Sequence, residues 1–355
     1  MTAGMLAIAF FASDLPGFAP PPGGMGAESM PLSVRALGMG GTSTAVFETE
    51  SVVMNNPSAG AWADRTGVTW AFGCRSGDDP SRDGECSFPA VSAVVPTPFR
   101  VVLNIGLAER SRLREDGTLL LDGWRCIHRW RGSLSEAYAG FSVKAAEWLS
   151  FSAGSRGSFG SIRSEASVSS APSGSEVPTG TEFVDDARFR PCWGAQFGAF
   201  VHTRRFDLGA SVVTDRSGRL SIDRDLSGTG ESSSSTGYDI PGEVNLGLTL
   251  KPADWLLLSS EVHGRKSLSI PGASVEKGRI YSFGTEALLG GGVALRAGWS
   301  GIEGLWRDGS ERLSAGCGYR FAGGRASLDF AAVRETWDGG AENGFFVSLW
   351  ASESW

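Results

Sequence analysis

From Gly67 to the C-terminus, apolar side chains recur at every second position in runs of about ten residues, the period of a strand with two unlike faces. Trp193, Ala195, Phe197, Ala199 and Val201 fall on one face, with Gly194, Gln196, Gly198 and His202 on the other. Phe206, Leu208, Ala210 and Val212 oppose Asp207, Gly209 and Ser211, and Val244, Leu246, Leu248 and Leu250 oppose Asn245, Gly247 and Thr249. Val293, Leu295, Ala297 and Trp299 oppose Arg296, Gly298 and Ser300; Leu313, Ala315, Cys317, Tyr319 and Phe321 oppose Arg312, Ser314, Gly316, Gly318 and Arg320. The apolar face carries no charge in any of these runs.

The connections decide what such strands build. Long polar links at 75–86, 109–123, 161–190, 217–239, 264–278, 301–310 and 335–343 alternate with short ones at 96–98, 144–147, 203–204, 251–254, 290–292 and 322–324. The alternation predicts an all-β, transmembrane, up-and-down antiparallel β-barrel of about fourteen strands, with both chain ends on the short-turn side. No run of about 18 apolar residues offers a helical span, and lipid leaves no partner for an open sheet edge. The Ser/Gly-rich links 161–190 and 217–239 read as flexible loop tips. Two short turns, Lys144-Ala-Ala-Glu-Trp148 and Lys251-Pro-Ala-Asp-Trp255, echo each other, and each Trp opens a strand where a ring would sit at headgroup level.

Composition fits a membrane barrel. The 355 residues include 50 Gly and 12 Trp, as expected of small lumen-facing positions and an aromatic girdle. A net charge of −7 without a basic stripe argues against a nucleic-acid partner.

Residues Arg35 to Trp62 break the pattern. Gly38, Gly40 and Gly41 remove Cβ atoms where backbone turns tightly or lies against another surface, and Asn55, Asn56 and Pro57 make a turn signal. This reads as a compact insert, not as wall. The glycines lack the Lys-Ser/Thr of a phosphate loop. The run Ala-Leu-Gly-Met-Gly-Gly followed by Asn-Pro resembles the N-terminal signature of the FadL-type outer-membrane hydrocarbon transporters and their PorV-like relatives, with Ser58 standing where that family has Ala.

The resemblance implies a hatch in the barrel lumen, carried here by Gly38, Gly40, Gly41, Asn55, Asn56 and Pro57. It implies passive uptake of hydrophobic small molecules, such as long-chain fatty acids or hydrocarbons, across a Gram-negative outer membrane with both termini periplasmic. The PorV-like alternative is a barrel that holds exported proteins. The partners implied are outer-membrane lipid and a hydrophobic ligand, with Trp124 and Trp130 as loop-borne candidates to meet it. The expected organisation is a leader at 1–27, a hatch at 28–66 and a barrel at 67–355. The leader carries an apolar run at Met5–Ala12 but no positive n-region. The terminal Trp355 resembles a barrel-assembly signal; Leu349 and Ala351 fit its alternation and Glu353 does not.

Little in the chain points to catalysis. His128, His202 and His263 are dispersed, and no Ser, His and carboxylate stand at a recognisable spacing, so neither an enzyme nor a cofactor is expected. Glu261 and His263 would both point inward, as a satisfied polar pair in preference to an acid/base pair. Asp207, Glu261, Glu286, Arg296, Arg312, Arg320 and Asp329 fall on the small polar face, as a tied-down interior or a selectivity lining. Across the tight turn at 290–292, Glu286 should face Arg296, with Leu289 and Val293 nearer the turn. Cys74 and Cys86 flank the first long loop at opposing positions, within reach of a disulfide in an oxidising compartment. Cys126 and Cys192 would meet only across an intervening strand, and Cys317 faces lipid.

Overall fold

The computed structural model describes residues 27–28, 33–47, 55–77, 85–121, 124–170, 182–226, 230–265, 268–270, 273–275, 278–303, 309–321, 323–337 and 340–353. Fourteen antiparallel strands close into a barrel. They are β1 (Thr66–Gly77), β2 (Glu85–Pro96), β3 (Val101–Leu121), β4 (Trp124–Ala146), β5 (Leu149–Ser170), β6 (Glu182–His202) and β7 (Phe206–Val213). The ring continues through β8 (Glu243–Ala253), β9 (Leu256–Arg265), β10 (Gly278–Leu288), β11 (Val293–Glu303), β12 (Glu311–Phe321), β13 (Ala326–Trp337) and β14 (Gly340–Glu353). Each strand pairs with the next, and β14 returns to β1 from Glu342↔Gly77 to Glu353↔Thr66. The first strand starts and the last strand ends at the short-turn rim.

Closure satisfies every strand edge, and the alternation then sorts side chains by medium. Trp70, Ile105, Phe151, Phe197, Leu246, Phe283, Leu313 and Phe345 are exposed on the outside. Ser92, Asn104, Ser152, Gln196, Asn245, Ser282, Ser300 and Ser348 are buried on the inside. Trp148 and Trp255 project from the short-turn rim, 54% and 56% exposed, a level suited to ring-and-headgroup contact.

The described residues of the links expected at 109–123, 161–190 and 217–239 are strand, not loop. β3 runs on to Leu121 and pairs with β4 as far as Leu121↔Trp124, and β5 pairs with β6 out to Ser167↔Glu182. Between β7 and β8 the chain forms a hairpin, Arg216–Leu226 with Gly230–Ile240, whose first strand continues alongside β6. These extensions stand beyond the apolar band, where water wets the outside, and their faces invert. Leu134, Ile162, Ala187, Phe189, Leu220 and Ile222 turn inward and pack together, while Arg131, Arg163, Arg188 and Arg219 lie outside.

Cys74 and Cys86 stand opposite each other on β1 and β2 and are joined by a disulfide. Closing a loop of sequence separation 12 limits the unfolded chain, so reduction is expected to lower stability by up to about 3 kcal/mol. Urea unfolding in lipid vesicles with and without reductant measures this; an unchanged midpoint would mean that the ladder alone sets the stability of this corner. Cys317 is exposed and Cys192 buried. The apolar run Met5–Ala12 and the terminal Trp355 lie outside the described residues, as do the side chains of Trp124, Cys126 and His128.

Candidate functional site

The leading segment first pairs Ala27 and Glu28 with Arg112 and Ser111 of β3, and then forms a short helix, α1 (Val34–Gly38), capped by Ser33, whose Oγ accepts from the Ala36 N–H. It ends at Gly40 and Gly41, which take φ of 72° and 93°, a left-handed conformation costly to any residue with a Cβ. The N–H of Gly41 returns to the carbonyl of Ala36 at 2.8 Å. Val34 and Leu37 bury against inward Ala71, Val94, Val102, Val333 and Phe346. A 3-10 helix, Pro57–Trp62, follows, with Pro at its first position.

Between these helices the backbone rests on a row of lumen-facing glycines. A Cβ on Gly209 would collide with the Thr44 carbonyl, one on Gly298 with Gly40 N, and one on Gly284 with Met39 O. A Cβ on Gly247 would come within 2.9 Å of Ala45. Within this smooth seat Glu261 is the acceptor, its Oε2 taking the N–H groups of Ser43 (2.6 Å) and Thr44 (2.8 Å) and its Oε1 the Thr44 hydroxyl (2.6 Å). Ser314 Oγ accepts from Gly40 N at 2.8 Å. The Asn56 amide donates to the carbonyls of Thr44 (2.9 Å) and Ala199 (3.0 Å). Ser58, the departure from the family pattern, donates from Oγ to Asn56 Oδ1, and its carbonyl accepts from Ser150 Oγ at 2.7 Å.

Arg35 ties α1 to a charged chain across the wall. Its Nε and Nη2 donate to Glu286 at 2.9 and 2.7 Å. Glu286 stands opposite Arg296, accepts from its Nε at 2.6 Å, and Arg296 Nη1 reaches Asp329 at 2.6 Å. Leu289 and Val293 do bond nearer the turn, at 2.8 Å. Arg312 pairs separately with Glu335 at 2.8 Å. Arg320, on the same face, is exposed at the end of β12. Asp207 lies apart from the others, held by Lys251 Nζ at 2.7 Å and His202 Nδ1 at 2.9 Å. The His202 ring stacks on Phe47 at 4.1 Å, and Trp62 closes on Phe47 and Phe200 at 5.7 and 5.8 Å. This aromatic knot fastens the segment near the short-turn rim.

A second charged cluster, none of whose members the sequence singled out, spans the lumen nearer the long-loop end. Glu136 accepts from Arg110 Nη1, Arg156 Nε and Arg216 Nη1, each at 2.9 Å. Glu243 lies 2.7 Å from Arg110 and 3.5 Å from Arg216. His263 Nε2 is 3.8 Å from Glu243, so Glu261 and His263, two positions apart on β9, serve different neighbours. All five Arg and Glu side chains are buried. Immediately outward lies the inverted apolar cluster, with Phe189 edge-on to Tyr238 at 5.2 Å and Trp130 packed at its margin. The lumen thus presents, from outside inward, an apolar lining, a charged floor and the leading segment.

No family model and no curated protein matches the chain. Solved structures do. A FadL homologue from Pseudomonas aeruginosa, 16% identical, aligns with a TM-score of 0.70 over 93% of this chain and 99% of its own. The toluene transporter TbuX of Ralstonia pickettii, 14% identical, gives 0.64 over 96% and 99%, and the toluene transporter TodX of Pseudomonas putida, 15% identical, gives 0.63 over 92% and 99%. The chain has the fold of these FadL-type barrels.

Proposed function

We propose that this chain is an outer-membrane channel for the passive uptake of hydrophobic small molecules, such as long-chain fatty acids or hydrocarbons, with residues 28–66 as its hatch. Three features support that reading: the shared fold, an apolar exterior on the strands β1 to β14, and the inversion of polarity that gives the outer part of the lumen an apolar lining. The last carries the argument. Leu134, Ile162, Phe189, Leu220, Ile222 and Tyr238 pack into one buried apolar cluster inside this end of the barrel, and an apolar solute that parts it meets the kind of surface that binding an apolar molecule requires.

In this reading Gly38, Gly40 and Gly41 let the hatch lie flat on the wall, and Asn55, Asn56 and Pro57 turn it back across the lumen. The lumen charges hold it in place without taking part in any reaction. Equilibrium binding of a labelled long-chain fatty acid and of toluene to the purified barrel tests the proposal. Saturable binding of at least one is expected, weakened when Phe189 and Leu220 are replaced by Ser. Absence of binding to either compound, together with co-purification of an exported protein, would overturn it in favour of a PorV-like role.

A further inference from the structure

We propose that Arg188, Arg190 and Arg219 form a docking site on the outer wall for the phosphate groups of an outer-leaflet glycolipid. The proposal rests on the reading above that the apolar band lies in an outer membrane. Arg188 on β6 and Arg219 on the neighbouring hairpin strand both point outward and are exposed. A bulge places Arg190 beside them: the register passes from Ser158↔Cys192 to Gly160↔Phe189, so Arg190 and Pro191 together oppose Phe159. Such a bulge re-aims side chains, and here it leaves both Arg190 and Pro191 exposed while Phe189 and Cys192 stay buried.

The three guanidinium groups have hydroxyl and glycine neighbours in the ladder. Arg188 stands between Ser161 and Ser221, and Arg219 opposite Gly237. Arg190 Nε donates to Ser221 Oγ at 3.2 Å. One row further in Asp239 stands opposite Ser217, and one row further out the charges are mixed: Asp186 faces Asp223, and Arg163 is taken up by Glu165 at 2.8 Å with Asp186 at 3.9 Å. On the other side of the barrel Arg279 stands opposite Glu303. At the band edge, Glu109 lies on β3, across β4 and β5 from the triad.

Depth decides which anion the triad meets. Trp193, 56% exposed, lies just below Pro191 and belongs to the level where aromatic rings mark the membrane interface. Guanidinium groups immediately above that ring stand at the height of lipid phosphates. Strand spacing near 4.8 Å and a two-residue step near 6.7 Å set the groups close enough to share one phosphate or to hold two on one sugar backbone. The planar guanidinium fork binds phosphate oxygens in pairs, which an ammonium does not.

The test compares the full-length wild type with the triple variant Arg188→Gln, Arg190→Gln, Arg219→Gln, both purified in detergent. Native mass spectrometry follows retention of diphosphoryl lipid A, its dephosphorylated form, and inorganic phosphate. The expected result is retention of the diphosphoryl lipid by the wild type, about tenfold weaker in the triple variant and likewise for the dephosphorylated lipid, with partial rescue by the triple Arg→Lys variant. Resistance of the barrel to unheated detergent confirms that each variant is folded. Equal retention by wild type and variant, equal retention of both lipids, or full displacement by excess inorganic phosphate would overturn the proposal. Fatty-acid and toluene binding on the same samples should not change, so a failure here is distinct from a failure of the uptake reading. A wild type absent from the outer-membrane fraction would sink both.

Discussion

With Val in place of Gly209 and Gly298, residues 39–45 are expected to leave the wall, and vesicles carrying the double variant to pass small sugars at least about tenfold faster than the wild type. The collision is backbone on backbone: a Cβ at Gly209 overlaps the Thr44 carbonyl, and one at Gly298 overlaps Gly40 N and the Met39 carbonyl carbon. No rotamer relieves such a contact, and overpacking on rigid atoms must move one partner. β7 is laddered to β6 and β8, and β11 to β10 and β12, whereas residues 39–45 are held to the wall by three hydrogen bonds to Glu261 and one to Ser314, far fewer than a strand ladder. The segment therefore yields. Gly237, whose added Cβ meets nothing within 4 Å, supplies the control, and Gly237→Ala should leave flux unchanged. A folded double variant with wild-type flux would show that the glycine seat does not hold the lumen shut.

How far the sequence carries this far depends on the medium outside each strand. Within the apolar band, lipid forces one face to be apolar, so the alternation at 193–201, 206–212, 244–250, 293–299 and 313–321 reads directly as wall. Beyond it, water lies outside and the inner face becomes the apolar one, so Ile162, Phe189 and Leu220 sit among exposed Arg, Ser and Asp and the stretch looks like loop. The strand count survives because each polar stretch still returns the chain to the ring. The expected length of the loops does not.

The site divides along a similar line. Glu286 and Arg296 were legible because a tight turn fixes their register, and Cys74 and Cys86 because they flank one loop at opposing positions. Alternation gives a face but not a depth, which is why Arg320 was grouped with Arg312 and yet lies exposed at the rim. Arg35 meets Glu286 across 251 positions and Arg216 meets Glu136 across 80. No local rule couples residues so far apart; only closure of the barrel brings them together. Arg110, Arg156 and Arg216 each carry the parity of the lumen face, but they lie at or just beyond the edge of the readable band.

That unforeseen cluster carries the second large effect. Glu136→Gln is expected to lower the stability of the folded barrel by about 3–5 kcal/mol, the cost of removing one partner from a buried ion network. Glu136 meets three guanidinium groups and the Ser158 hydroxyl, at 3.2 Å, and once it is neutral the positive charge of Arg110, Arg156 and Arg216 loses a carboxylate in a water-poor lumen. The Gln amide would also turn a donor toward donors. If the loss arises from uncompensated charge and not from a packing defect, Glu136→Leu combined with Arg216→Met should recover part of it, because a buried pair replaced by apolar groups of similar volume is often close to neutral. Urea unfolding in lipid vesicles measures both variants, with Arg320→Gln at the exposed rim as the control that should leave the midpoint where it is. A Glu136→Gln barrel as stable as the wild type would mean that water reaches the three arginines and takes over the role of the lost carboxylate.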